Sequence, residues 1–264
     1  MKHVTRIGAA GLVTALAVGV VAPVATADRA APERRSVDRV TLETSKTELV
    51  AGKKVVLSGK IRPAAKGTKV VLQKKIGDRK WSREATLTTK KAGKFSYTDR
   101  PETPGTRRYR VVTQGAGART SKPVKVTIYQ WRNLTDTAVR ETEAVDIGGI
   151  ANIRRTAYPD SVVSYFGDVT TGGVDWNLDP TCTTLSTRFG AGDASDEGAV
   201  ATLSLVGDGE PLYTGSFGLT ESEARTFDVS GVFRLRLSWT STVNGTQAPG
   251  AQAVMATPRL LCAS

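Results

Sequence analysis

Asp193, Asp196 and Glu197 place three carboxylates within five residues, in the run Phe189-Gly-Ala-Gly-Asp-Ala-Ser-Asp-Glu-Gly198. Carboxylate oxygens are the hard ligands that calcium takes. They also accept hydrogen bonds from sugar hydroxyls. The same run reads equally well as an acidic, solvated hairpin loop. Two carboxylates about 5–9 Å apart would suit glycoside cleavage, but a small sandwich with no evident deep cleft speaks against it. The only other residues with obvious chemistry are Cys182 and Cys262, the two cysteines of the chain. The single histidine is His3.

His3 lies in a segment that reads as an export signal, residues 1–27. Lys2, His3 and Arg6 form a cationic start, Ile7 to Val21 is apolar, and Ala25-Thr26-Ala27 is a small-x-small cleavage site before Asp28. The alternative is a membrane anchor, but the apolar run falls short of the ~20 residues that a spanning helix needs. Cleavage would leave a chain without histidine, hence without Ser-His-Asp or Cys-His catalysis and without imidazole ligands. A secreted or wall-associated chain meets oxidising conditions, where an even pair of cysteines reads most simply as a Cys182–Cys262 disulfide. A redox or metal role would need a CxxC or further ligands, and the sequence has neither.

Those residues must be positioned by β structure. From Val40 to Ile128, short runs rich in β-branched and aromatic residues alternate with turn residues at sandwich spacing. Val55-Val-Leu57, Val70-Val-Leu72 and Val124-Lys-Val-Thr-Ile128 are examples. After Leu134, Leu185, Thr187 and Phe189 alternate on one face, as do Ala201, Leu203 and Leu205. Phe233, Leu235, Leu237 and Trp239 are expected to face inward, with Arg234, Arg236 and Ser238 outward. Asp208-Gly209 signals a tight hairpin.

Charge divides the chain. Residues 28–130 hold 26 Lys and Arg against 9 Asp and Glu; residues 131–264 hold 9 against 16 and no lysine. Two modules meeting near Tyr129–Asn133 account for the step. The expected organisation is a signal peptide (1–27), a linker (28–36), a basic sandwich (37–130) and an acidic one (131–264). The basic half reads either as a solvated surface or as a field that attracts polyanions over ~8–10 Å. Anionic wall polymers fit better than nucleic acid, for which no recognition motif is present. Nothing after Val21 is apolar for long enough to insert stably in a membrane.

Two resemblances sharpen this reading. The run Val70-Val-Leu-Gln-Lys-Lys-Ile-Gly-Asp-Arg-Lys-Trp81, with Gly93-Lys-Phe95 and Pro104-Gly-Thr-Arg-Arg-Tyr-Arg-Val111, resembles bacterial Ig-like repeats of secreted actinobacterial proteins. That implies a spacer or adhesion module, with Tyr109 bracing a sandwich corner and Trp81 packed over a strand pair. Residues 134–262 resemble the NPCBM family of carbohydrate-binding modules. The resemblance rests on the Gly-Asp loop at 189–198, the Asp-Gly hairpin, Leu212-Tyr213, the Asp228-Val-Ser-Gly231 turn, Ala157–Tyr165 and Trp176-Asn-Leu178. It implies a jelly-roll, galactose-binding-like sandwich of eight to ten strands whose last strand pairs with an early one, so that the two cysteines can meet. Glycan contacts are then expected from Trp176 and Tyr165, and from Asp193, Asp196 and Glu197 where the acidic loop serves a ligand and is not simply solvated; the same three carboxylates are the candidate calcium ligands. Met255 and Thr257 stand where that family often has Trp and Asp. Met255 is therefore expected to fill the core, and a sandwich that has lost its sugar site becomes the alternative function. The fold class expected is all-β, two sandwiches in tandem, without catalysis.

Overall fold

A computed structural model describes residues 37–264 apart from 64 and 116. The signal peptide and the linker expected from the sequence lie outside the described residues. The chain is all-β, and among the described residues no helix is long and apolar enough to cross a membrane. The first half contributes β1 (Arg39–Thr44), β2 (Glu48–Val50), β3 (Val55–Arg62), β4 (Lys69–Ile76), β5 (Ser82–Thr88), β6 (Lys94–Asp99), β7 (Gly105–Thr113) and β8 (Val124–Asn133). A sheet of order β1-β3-β6 faces one of order β2-β8-β7-β4-β5, with β2 parallel to β8. This is an immunoglobulin-like arrangement.

Its core follows from the period-2 pattern. Val55, Leu57 and Ile61 of β3 meet Val70, Leu72, Val111, Val126 and Ile128 from the facing sheet, and all are buried. The corner before β7 is polar and closed. The buried Tyr109 hydroxyl donates to the Asp99 carboxylate at 2.6 Å. Burial, then the Asp99 hydrogen bond, pushes the Tyr109 phenol far above its ordinary value. Arg107 donates beside it to the Thr103 carbonyl and hydroxyl. Trp81 lies under the Arg110 guanidinium, 4.2 Å from ring centre to cation.

The second half contributes β9 (Val139–Glu143), β10 (Val145–Ile153), β11 (Thr156–Ser164), β12 (Thr171–Asn177), β13 (Cys182–Ala191) and β14 (Ala199–Gly207). β15 (Glu210–Gly218), β16 (Ser222–Asp228), β17 (Arg234–Val243), β18 (Thr246–Gln247) and β19 (Ala253–Cys262) complete it. One sheet runs β15-β14-β17-β12-β9; the other runs β10-β11-β19-β13-β16. Between them lie Trp176, Leu185, Phe189, Leu203, Leu205, Leu235, Leu237 and Met255. Met255 is 0% exposed, the core filler its position suggested. Leu235, Leu237 and Trp239 face inward as expected, but Phe233 is 57% exposed. The β17 ladder starts only at Arg234. Phe233 sits before it in a turn, donating its N–H to Asp208 and accepting one from Leu178, and so escapes the alternation.

Residues Tyr129–Asn133, where the modules were expected to meet, lie inside β8 and not in a linker. The first part of β8 pairs with β7 and β2, and Gln130–Asn133 pairs antiparallel with Arg259–Cys262 of β19. On the same edge of β19, Val254 and Met255 pair with β11. The edge passes from β11 to β8 at Thr257, where the backbone turns to φ +43°. Its N–H donates to the Ser161 hydroxyl and its hydroxyl to the Pro159 carbonyl. A continuous ten-stranded sheet therefore runs through both halves.

Cys182 and Cys262 are register partners on β13 and β19 and form a disulfide across 80 residues of chain. The chain-entropy worth of such a closure is at most about 4–5 kcal/mol, against a typical domain stability of ~5–15 kcal/mol. Reduction is expected to lower the calorimetric transition of the second core and leave that of the cysteine-free first core in place. A single common shift would show that the two cores unfold as one. Fragments probe the shared strand separately. Residues 124–264 keep the partner of Arg259–Cys262, whereas residues 134–264 lose it. The shorter fragment should unfold at clearly lower urea, and equal midpoints would show that the β8–β19 pairing adds nothing.

Candidate functional site

The loop expected to carry ligand chemistry is held by its own hydrogen bonds. The β10–β11 hairpin turns at Arg154 and Arg155, both at positive φ (51° and 60°), without a glycine. Such a turn is unfavourable for ordinary side chains. Asp193 offsets this: its two carboxylate oxygens accept the N–H groups of Arg154 and Arg155, each at 2.7 Å. Arg154 also donates through Nε to the Thr220 carbonyl. Along this hairpin Ala151 and Ile153 of β10 form a small buried cluster with Val163 of β11 and Val254 and Ala256 of β19.

Asp193 is thus bonded through both oxygens to the chain's own backbone. Asp196 and Glu197 are exposed, and among the described residues no group of three acidic, cysteine or histidine side chains converges to hold a metal. The calcium site expected at Asp193, Asp196 and Glu197 is corrected accordingly: their proximity in sequence does not become convergence in space. Trp176 is corrected too. It is 0% exposed on the inner face of β12, and its indole N–H has no partner. Its ring is core and offers no face to a ligand. Tyr165 is 54% exposed beside Phe166 at 55%, on the loop that leaves β11. This loop lies at the same end of the sandwich as Asp196 and Glu197, because Ala253 donates to Ser164 and Gln252 to Ser195.

A groove opens at the other end of β13, about 30 Å away at ~3.3 Å per residue. Its volume is about 580 Å³. The Cys182–Cys262 bridge, Leu178 and Leu260 line it together with polar side chains from three directions. Trp131, Arg132 and Asn133 come from the end of β8, Asp136 from the turn that follows it, and Asn177 and Asp179 from the end of β12. Trp131 is partly exposed, with the Arg259 guanidinium 5.9 Å from its ring centre. Asn133 donates to Asp160. Asp179 accepts the Ser264 hydroxyl at 2.6 Å and the Thr181 N–H at 2.8 Å. Those bonds, with the Arg132 charge nearby, hold its carboxyl below the usual range. An aromatic face, amides and an ionised carboxylate around one concave surface can pack against an apolar ring face and bond its hydroxyls. Little in the sequence announces this site, because its residues meet only through the β8–β19 pairing.

No family model and no curated protein matches the chain. Among solved structures, it is similar to the CBM51-2 and INT domains of Clostridium perfringens ZmpB, with 9% identity, 61% of this chain and 38% of that one covered, and a TM-score of 0.42. It is similar to a CBM51 from C. perfringens GH95 in complex with methyl-galactose, with 10% identity, coverages of 49% and 99%, and a TM-score of 0.42. A CBM36 in complex with calcium and xylotriose has 12% identity, coverages of 50% and 98%, and a TM-score of 0.27. The chain thus spans well under two thirds of the first of these structures.

Two turn carboxylates make the second sandwich sensitive to acid. Backbone N–H donors from Arg234 and Phe233 hold Asp208 below its ordinary value, as the Ser264 and Thr181 contacts do Asp179. For groups depressed in the folded state, the stabilisation is complete above the unfolded value of ~4 and is lost as pH falls through the lower folded value. The melting temperature of the second core should therefore fall progressively below pH ~4, and less so in Asp208→Asn. An unchanged acid profile in that variant would show that the turn does not contribute.

Proposed function

We propose that this chain is a secreted, non-catalytic glycan-binding protein, with the immunoglobulin-like sandwich as its spacer and an NPCBM-like module as its binding half. The observation that carries this reading is the groove beside the disulfide, where Trp131 stands among Asn133, Asp136, Asn177 and Asp179. Its floor is pinned covalently, so the side chains are preorganised and binding orders little further chain. The ligand is an extracellular or cell-wall polysaccharide, held through ring stacking and hydroxyl bonds. The basic first half adds attraction to anionic wall polymer. The boundary near residue 130 separates these two roles even though the strand is shared.

A second reading is a structural or protein-binding sandwich that has lost sugar binding. The exposed Tyr165–Phe166 pair favours it, as does the burial of Met255 and Trp176 where family aromatics would stand. A glycan array probed with the intact chain separates the two. Capture of one glycan class should fall at least tenfold in Trp131→Ala and in Asn177→Ala, and remain in Tyr165→Ala/Phe166→Ala. Silence across the array, or loss confined to the Tyr165/Phe166 variant, would move the assignment to the second reading.

A further inference from the structure

The outer face of β1-β3-β6 carries an arrangement that folding alone does not favour. Register places Arg39 opposite Arg62, and Thr41 opposite Lys60, which is in turn opposite Lys94. The next outward row is Glu43, Ser58 and Ser96. Except for the half-buried Thr41, these residues are exposed. Like charges directly opposite on neighbouring strands are destabilising, and here there are two such pairs in adjacent rows. Among the described residues, none of Arg39, Lys60, Arg62, Lys90 and Lys94 has a carboxylate within 4.0 Å. The face is also concave. A trough of about 480 Å³ is lined by Lys60, Lys90 and Lys94 and by Thr41, Ser58 and Ser96, with the single carboxylate of Glu43 at one end.

We infer that this trough is a binding face for a linear, hydroxylated polyanion, of the class of phosphodiester-linked polyols. The charges repeat along the strands every second residue, about 6.6–6.8 Å, and across them about 4.8 Å. An unbranched chain with one anion per ~7 Å sets two consecutive anions on the Arg39–Arg62 and Lys60–Lys94 rows, and the row beyond them offers the hydroxyls of Ser58 and Ser96 beside Glu43. Lysine ammoniums serve phosphate as point charges, while the three hydroxyls bond the linker hydroxyls between phosphates. A bound anion between Lys60 and Lys94 also removes the repulsion that the empty sheet carries. Single-stranded nucleic acid fits less well. It needs aromatic platforms for its bases, and the one large exposed apolar side chain described in this half is Val56. The inference builds on the adhesive reading of the basic half and needs nothing from the groove at Trp131.

The test uses the intact chain on immobilised poly(glycerol phosphate), with soluble poly(dT) and neutral dextran as competitors. Retention should be strong at low salt and fall steeply as salt screens the charges. Lys60→Glu/Lys94→Glu should weaken it at least tenfold. Lys122→Glu/Lys125→Glu, with the same change in charge away from this face, should weaken it less than threefold. Lys60→Glu alone carries a second signature: it should raise the melting temperature, by exchanging a like pair for an opposite pair, while lowering retention. Trp131→Ala should leave retention unchanged, so that failure of the glycan groove and failure of this face are told apart. Equal weakening in both double variants would overturn the inference in favour of a diffuse field. No retention at low salt, retention that ignores salt, or loss in Trp131→Ala would overturn it as well. Displacement by poly(dT) ahead of the polyol phosphate would assign the face to nucleic acid instead.

Discussion

Arg259–Cys262 is bound on both sides at once. β13 pairs with it along one edge and is bridged to it through Cys182, while Gln130–Asn133 of β8 pairs along the other. Those few residues make β19 an interior strand of the second sandwich and join its sheet to that of the first. Backbone groups inside a sheet must be paired, and an edge left open invites another chain. If β8 ended at Ile128, the last turn of β19 would be such an edge, beside the bridge. The extension of β8 closes it and replaces a flexible tether with a hydrogen-bonded ladder. The groove exists because of this, since Trp131, Arg132 and Asn133 line it from the paired part of β8.

Carboxylates elsewhere do the work that glycine does in simpler turns. Asp193 holds the Arg154–Arg155 turn, and Asp208 holds the N–H groups of Phe233 and Arg234 while itself adopting φ +50°. Asp99 takes the Tyr109 hydroxyl and the Arg100 N–H. Each accepts two donors with two oxygens, a geometry that ionised carboxylates satisfy well. Among the described residues no three acidic side chains converge to hold a metal.

What could be read from the sequence was whatever is local. Period-2 runs located the inner faces of β3, β4, β13 and β14, and Asp208-Gly209 forms the tight connection between β14 and β15. The Cys182–Cys262 pair followed from composition and compartment and is a register pair. What escaped is non-local. The three-residue β2 shows its purpose only beside β8, and Trp131 becomes a groove residue only because β19 returns to pair there. Trp176 was a different kind of miss. Val174, Trp176 and Leu178 alternate with Asp175 and Asn177, and that spacing already marks the indole as inward-facing. The family resemblance points Trp176 to a ligand, whereas its own neighbours point it to the core, where it lies.

The shared sheet also decides which surfaces remain available. The first sandwich joins the second through β2-β8-β7-β4-β5, the sheet that contains β8. The β1-β3-β6 sheet stands outside that continuity, and its outer face can carry unneutralised charge without meeting the acidic half through a common ladder. With a Debye length of ~8 Å at physiological ionic strength, charges on separate sheets and separate modules interact weakly. The excess of lysine and arginine in one half therefore need not disturb a polar groove built by the other. The β8–β19 ladder links the half that carries the basic face to the half that carries the groove. Two weak contacts with one extended surface would reinforce each other only if the spacing between them were held, and the paired strands are the element that joins the two halves.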